Sequence, residues 1–166
     1  MKILIMGLPG SGKTYLTERL QPLLKAAWYN ADKVREMAND WDFTPSGRRR
    51  QSERMNTIAT FEATRARTVI CDFVCPTGET RKQFNADITI WMDTIEAGRY
   101  DDTNKIFESP QDVDFRIAGY MSDEGIIEFA QALKTAPIAF KDEIDKDHLE
   151  VAERRLYNEL HGKPKE

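Results

Sequence analysis

A chain of 166 residues, 40% hydrophobic and 31% charged, can bury one substantial core without disulfides or a structural metal, and suits a single α/β domain. Its net charge of −4 gives no electrostatic reason to expect non-specific binding to nucleic acid or to a membrane surface, although a local basic patch can override that sum. The two cysteines, Cys71 and Cys75, have neither redox C-x-x-C spacing nor enough partners for zinc, and no apolar run approaches transmembrane length. The expectation is a cytoplasmic protein with reduced thiols.

The run Ile3-Leu4-Ile5-Met6 has the length and composition of a buried parallel strand. It leads directly into Gly7-Leu8-Pro9-Gly10-Ser11-Gly12-Lys13-Thr14, which meets every fixed position of the phosphate-loop pattern G-x-x-x-x-G-K-[ST]. Glycines let successive backbone N–H groups turn inward around a polyphosphate. Lys13 brings a point charge to the β and γ phosphates, and the Thr14 hydroxyl can ligate Mg2+. Leu16, Leu20, Leu23 and Leu24 then follow at helical spacing, so the N-terminus of a helix points its positive end at the same place. Strand, loop and helix in this order predict an ATP site built from Gly7, Pro9, Gly10, Ser11, Gly12, Lys13, Thr14 and Tyr15. Pro22 should kink or shorten the helix.

Residues 26–31 read as a second short strand ending at Asp32. Asp32 fits the N-cap of a helix holding Val34, Met37 and Ala38. It also stands at the carboxyl end of a strand, the edge where open α/β sheets bind ligands, which favours a place for Asp32 and Arg35 in the site over capping alone. A turn-rich loop over 41–50 opens a long helix to about Arg67, with Met55, Ile58, Ala59 and Glu62 on one stripe. Arg48, Arg49, Arg50 and Arg54 form either a solvated basic face or forked partners for phosphate or sulphate.

Residues 68–73 form the next buried strand. Its acid, Asp72, is either a Mg2+ ligand or a loop cap. A helix begins near Pro76, Thr77 and Gly78, and residues 87–93 form a fourth strand. From Glu96 to about residue 112 the chain is polar and charged between breakers, which predicts a mobile lid with Arg99 and Lys105 as the cations it would carry to a transferring phosphoryl group. Residues 113–117 make a fifth strand, and Asp123 is placed to cap a helix containing Ile126, Ile127, Phe129, Ala130 and Leu133. Past Pro137, Leu149, Ala152, Leu156 and Leu160 predict an amphipathic helix packed on the domain or on a second subunit, which makes a homodimer possible. His148 and His161 both fall in this tail, so histidine acid/base chemistry is not expected at the cleft.

Together these residues resemble adenylylsulphate kinase, over about Lys2 to Asp93. The family's D-G-D-N-V-R segment is similar to Asn30-Ala31-Asp32-Lys33-Val34-Arg35. Its G-F-S-x-x-D-R-x-E-N-x-R-R segment is echoed by Phe43, Thr44, Arg48, Gln51 and Arg54, its F-I-S-P by Phe73-Val74-Cys75-Pro76, and its V-D-T by Met92-Asp93-Thr94. The resemblance implies a three-layer phosphate-loop fold with a mostly parallel five-stranded sheet, spanning residues 1–136 with the charged extension at 137–166. It also implies ATP- and Mg2+-dependent phosphorylation of a small-molecule nucleotide, adenosine 5′-phosphosulphate, at its 3′-hydroxyl. Asp32 would assist deprotonation, Arg35 and Arg48 would grip the phosphosulphate, and Phe43 would stack on the adenine. Gln51, Phe73, Val74, Lys105 and Phe107 would complete the substrate site, with Phe107 as second stacking ring and Arg99 as catalytic lid cation. Asn30 stands in place of an Asp, Gln51 in place of an Asn, and the family's G-L-Y-K-K-A and N-F-T-G lid segments have no clear counterpart. The alternatives are a kinase for another nucleoside, nucleotide or hydroxylated DNA base, and a nucleotide-binding module without catalysis.

Overall fold

The computed structural model describes residues 1–136, and the expected tail helix with His148 and His161 lies outside the described residues. Residues Met1–Tyr120 form one compact unit, and a second begins at Met121. The first holds five parallel strands, β1 (Lys2–Met6), β2 (Ala27–Asn30), β3 (Val69–Asp72), β4 (Ile88–Met92) and β5 (Phe115–Ile117), in the order β2-β3-β1-β4-β5. With β1 at the centre, the chain leaves it toward β2 and β3 on one side and later reaches β4 and β5 on the other. The carboxyl end of β1 therefore lies at a switch point of the winding, where ligand crevices form.

Alternation along the strands sorts the core into layers. Leu4 and Met6 of β1 and Val69 and Cys71 of β3 join Val34, Met55, Ala59 and Phe84 in one buried cluster, which brings the helices α2 (Ala31–Ala38), α3 (Pro45–Ala63) and α4 (Gly78–Phe84) onto that face. Ile3, Ile5 and Ile70, the alternate positions, are also fully buried, and α1 (Lys13–Leu24) packs against β1, β2 and β3 with Leu16 and Leu20 inside. Pro22 sits in the last turn of α1, which ends two residues later at Leu24 with a left-handed Lys25 as its C-cap.

Several local expectations are corrected. Asp32 does not cap α2; Asn30 does, its side chain accepting from Lys33 N, and Asp32 lies in the first turn. Met37, expected on the apolar face, is 76% exposed. α3 starts inside the segment expected as loop, because Thr44 accepts from Gly47 N and Pro45 follows with the helical φ already set, and it ends at Ala63 rather than Arg67. Within the lid segment, α5 (Asp101–Ile106) occupies the middle, and Asn104 closes its entry by accepting from Gly98 N and donating to Gly98 O. In the second unit, α6 (Asp123–Thr135) is capped by Ser122 rather than Asp123, with Ile126, Phe129, Ala130 and Leu133 buried and Ile127 exposed. Cys71 and Cys75 are free, and burial drives both thiols up, Cys75 to about 12. No described helix is long and apolar enough to cross a membrane.

Candidate active site

The loop after β1 is fixed from three sides. Gly7 has φ 148°, and a Cβ there would stand 2.6 Å from Met92 O and 2.8 Å from Ser11 Oγ, so no other residue fits without moving β4. Ser11 N donates to Leu8 O at 3.1 Å, and Thr94 Oγ1, arriving from beyond β4, donates to Ser11 O at 2.7 Å. Gly12 is the N-cap of α1 in left-handed conformation and offers no side-chain cap, so the first N–H groups of the helix are left to the loop. Ser11 Oγ is buried without a hydrogen-bond partner among the described residues. Lys13 Nζ bends back to donate to Gly7 O and Leu8 O, each at 2.9 Å. Burial lowers the Lys13 ammonium to about 8, with Asp72 and Asp32 opposing the shift. A buried hydroxyl without a partner, uncapped helix N–H groups and a desolvated ammonium are what a polyphosphate would satisfy, so these residues fit ATP.

Asp72, at the end of β3 and almost wholly buried, faces this loop. Its Oδ2 accepts from Thr14 Oγ1 at 3.1 Å, and Oδ1 accepts from Trp28 Nε1 at 2.8 Å. Asn30 Nδ2 reaches both oxygens, at 3.2 and 3.1 Å. Among the described residues no three His, Cys, Asp or Glu side chains converge to cage a metal. A hydroxyl beside a single carboxylate suits Mg2+, which keeps several waters and takes phosphate oxygens as further ligands, so Thr14 and Asp72 fit that ion.

From here a cleft of about 650 Å³ runs to the acceptor end. Its lining takes Pro9, Gly10, Lys13 and Thr14 from the phosphate loop and the start of α1, Asn30, Asp32 and Asp72 from the carboxyl ends of β2 and β3 and the start of α2, and Arg35, Phe43, Arg48, Gln51, Phe73 and Val74 from α2, α3 and the loops beside them. Arg99 and Tyr100 lie on the lid side. Arg35 is only 4% exposed, and its Nη1 donates to Asp40 O at 2.9 Å and Asp42 O at 3.1 Å. Its guanidinium lies 4.5 Å from the Phe43 ring centre, so Arg35 supports the 40–43 loop and that ring from behind. The same loop is pinned by Asp40, which accepts from Arg50 Nε at 2.8 Å, Arg50 Nη2 at 2.9 Å and Arg54 Nη2 at 2.8 Å and is held well below the usual carboxylate range. Two of the four clustered arginines are thus used in the fold, and Arg49 is exposed.

Arg48 donates to Phe43 O at 2.9 Å and reaches Asp102 on the lid at 3.4 Å. Gln51, 3% exposed, ties α3 to α2 through Ala31 O at 3.0 Å. Beyond the phosphate loop itself, three sequence candidates fall outside the cleft lining. Lys105 is exposed on α5, Phe107 packs against the core cluster below the lid, and Tyr15 joins Tyr120 hydroxyl to hydroxyl at 3.1 Å. Conversely, Trp28, Trp41 and Tyr100 carry no motif, yet the first meets Asp72 and the other two line the cleft, 52% and 51% exposed. The signal available in the sequence was position: Trp28 precedes Asn30 by two, and Tyr100 adjoins Arg99.

The family model for adenylylsulphate kinase matches residues 1–97, more than half of the chain. The chain belongs to that family. No curated protein matches it. Among solved structures, the chain is similar to the Mycobacterium tuberculosis adenylylsulphate kinase CysC, in complex with AMPPNP and APS, at 20% identity and a TM-score of 0.66, over 80% of this chain and 94% of that one. It is also similar to the shikimate kinase of Aquifex aeolicus (17% identity, TM-score 0.56, 81% and 96% covered) and a gluconokinase of Sinorhizobium meliloti (14%, 0.58, 96% and 97%). At these identities the likeness is one of fold, and the fold is that of phosphate-loop kinases.

Proposed function

We propose that the protein transfers the γ-phosphoryl group of ATP to the 3′-hydroxyl of adenosine 5′-phosphosulphate. The observation that supports this most is that one cleft joins the phosphate loop and Asp72 at one end to Phe43, Phe73, Arg48 and the lid residues Arg99 and Tyr100 at the other. Aromatic faces beside guanidinium groups suit a nucleobase carrying anionic groups. When bound at Thr14 and Asp72, Mg2+ neutralises charge on the β and γ phosphates. Lys13 leaves the Gly7 and Leu8 carbonyls to meet the same phosphates, while Ser11 and the first N–H groups of α1 hold them in line. Asp32, exposed at the middle of the cleft, receives the proton of the acceptor hydroxyl. Arg99 closes from the lid side as charge shifts to the leaving oxygen, and Arg48 exchanges Asp102 for the acceptor's anionic group. Arg35 and Gln51 act indirectly, by holding Phe43 and the α2–α3 junction. Catalysis is then chiefly positioning and charge neutralisation.

The test is ADP release with Mg2+ and ATP, comparing adenylylsulphate with nucleosides, nucleotides and DNA carrying hydroxylated bases. Stimulation by adenylylsulphate that is lost in Asp32→Ala is the expected result. Stimulation by a different acceptor alone would overturn the acceptor assignment. ADP binding with no stimulation by any acceptor would leave a nucleotide-binding module.

A further inference from the structure

Asp72 is the one acid at the end of β3, buried, and meets three donors from two directions. One is the phosphate-loop hydroxyl of Thr14. The others come from β2, where Trp28 and Asn30 are two residues apart and so project from the same face of the strand. The parallel register sets Asn30 beside Asp72 and Trp28 beside Ile70, which puts both N–H groups over the carboxylate. Oδ1 is engaged by the Trp28 indole at 2.8 Å and Oδ2 by Thr14 at 3.1 Å, with the Asn30 amide across both. All three are neutral donors, so they orient the carboxylate without cancelling its charge. Asn30 Oδ1 meanwhile accepts from Lys33 N, which anchors that amide to the N-terminus of α2, the helix that carries Asp32.

We propose that Trp28 and Asn30 are positioning residues for the metal end of the site: their N–H groups hold Asp72 with one oxygen turned to Thr14, in the orientation in which the two receive Mg2+. The inference rests on the reading of Thr14 and Asp72 as metal ligands, and is independent of which acceptor is phosphorylated. A carboxylate that loses an orienting donor rotates within its pocket and meets the ion in fewer of its orientations, so the metal requirement rises while nucleotide contacts that do not pass through the metal are kept.

The full-length protein is titrated with Mg2+ in the presence of ADP, with binding followed by calorimetry and by tryptophan emission. Trp28→Phe keeps the ring but removes the N–H. Asn30→Ser keeps a helix-capping oxygen but removes the amide donor. The expected result is a rise of about 10- to 100-fold, the usual cost of removing a partner that orients a metal ligand, in the Mg2+ concentration that half-saturates the metal-dependent gain in ADP affinity, in both variants. ADP affinity in EDTA should be unchanged in both variants. Thermal midpoints taken alongside identify a variant that fails to fold, and the other variant then carries the test. Wild-type Mg2+ dependence in the folded variants, or an equal loss of ADP affinity with and without metal, would overturn the proposal. Displaced Mg2+ dependence with no stimulation by adenylylsulphate would uphold it and remove the acceptor assignment instead.

Discussion

Lys13 has a proton that the fold loosens and the phosphate should tighten. In the free protein its ammonium is desolvated, its value lowered from 10.5 to about 8, and among the described residues its hydrogen-bond acceptors are two backbone carbonyls. Since kcat/KM reports the free enzyme, kcat/KM for ATP should be level below pH 8 and then fall, by about 20-fold between pH 7.5 and 9.5, as the charged form is lost. kcat should stay level further into alkali, because bound phosphate holds the proton. Stability moves the other way. Above pH 8 the unfolded chain holds the Lys13 proton and the folded one has released it, so the folded state gains with rising pH, by about 1 kcal/mol between pH 7 and 9 relative to Lys13→Met. Over the same range the unfolded chain's thiols ionise while burial keeps Cys71 and Cys75 protonated, which subtracts stability from both proteins alike, so the difference between them isolates Lys13. The assays are a pH profile at limiting ATP and metal-free thermal unfolding of both proteins. Lys13→Arg, charged throughout, should lose the alkaline fall at a lower absolute rate. A fall that persists unchanged in Lys13→Arg would show that another group titrates.

Phe43→Ala removes a half-exposed ring held between Arg35 and Arg48, at 4.5 and 5.4 Å from the two guanidinium carbons. The acceptor KM should rise about 10-fold or more, the worth of one stacked base, with KM for ATP unchanged in steady-state kinetics. Gly7→Ala drives a Cβ to 2.6 Å from Met92 O, so ADP binding by calorimetry should be lost although the protein folds. Phe84, fully buried and edge-on to Phe73 at 5.4 Å, should cost about 3–5 kcal/mol in denaturant unfolding when cut to Ala. Iodoacetamide should leave both cysteines of the native protein unmodified at neutral pH and label them on unfolding, since the thiols are buried and held protonated.

What the sequence disclosed follows from how far apart the cooperating residues lie. The phosphate loop was legible because strand, turn and helix occupy one stretch, and each glycine answers a local demand. The two misplaced caps have a local cause as well: Asn30 and Ser122 stand immediately beside a residue with the same capping chemistry or two positions from it, and only the actual turn decides. The lid was less legible for another reason. Its cations and rings were assigned by residue type, but a six-residue helix gives each position its own direction, so Lys105 goes to solvent and Phe107 to the core while Arg99 and Tyr100 line the cleft. The arginine cluster was undecidable in the sequence because its partners, Asp40 and Asp42, become partners only once the 40–44 loop folds back on α3. Gly47 permits that approach, since any Cβ there would run into Asp42.

That loop determines what the acceptor meets. Asp40 gathers Arg50 and Arg54, and Arg35 gathers the carbonyls of residues 40 and 42, so three arginines that could have faced an anion instead hold Trp41 and Phe43 at the mouth of the cleft. On the proposed reading, the cations of the cleft lining left to the acceptor among the described residues are Arg48 and Arg99, one on α3 and one on the lid. Arg48 already spans the gap to Asp102 at 3.4 Å, and its side chain is 13% exposed against 72% for Asp102. An ion pair with one partner in water is weak, so an anionic acceptor can take Arg48 from Asp102 at little cost. Asp102→Asn should then lower the acceptor KM several-fold, by removing the competing carboxylate, with kcat and KM for ATP near their original values. An unchanged acceptor KM in that variant would mean that Arg48 serves the lid and that Arg99 alone meets the acceptor's charge.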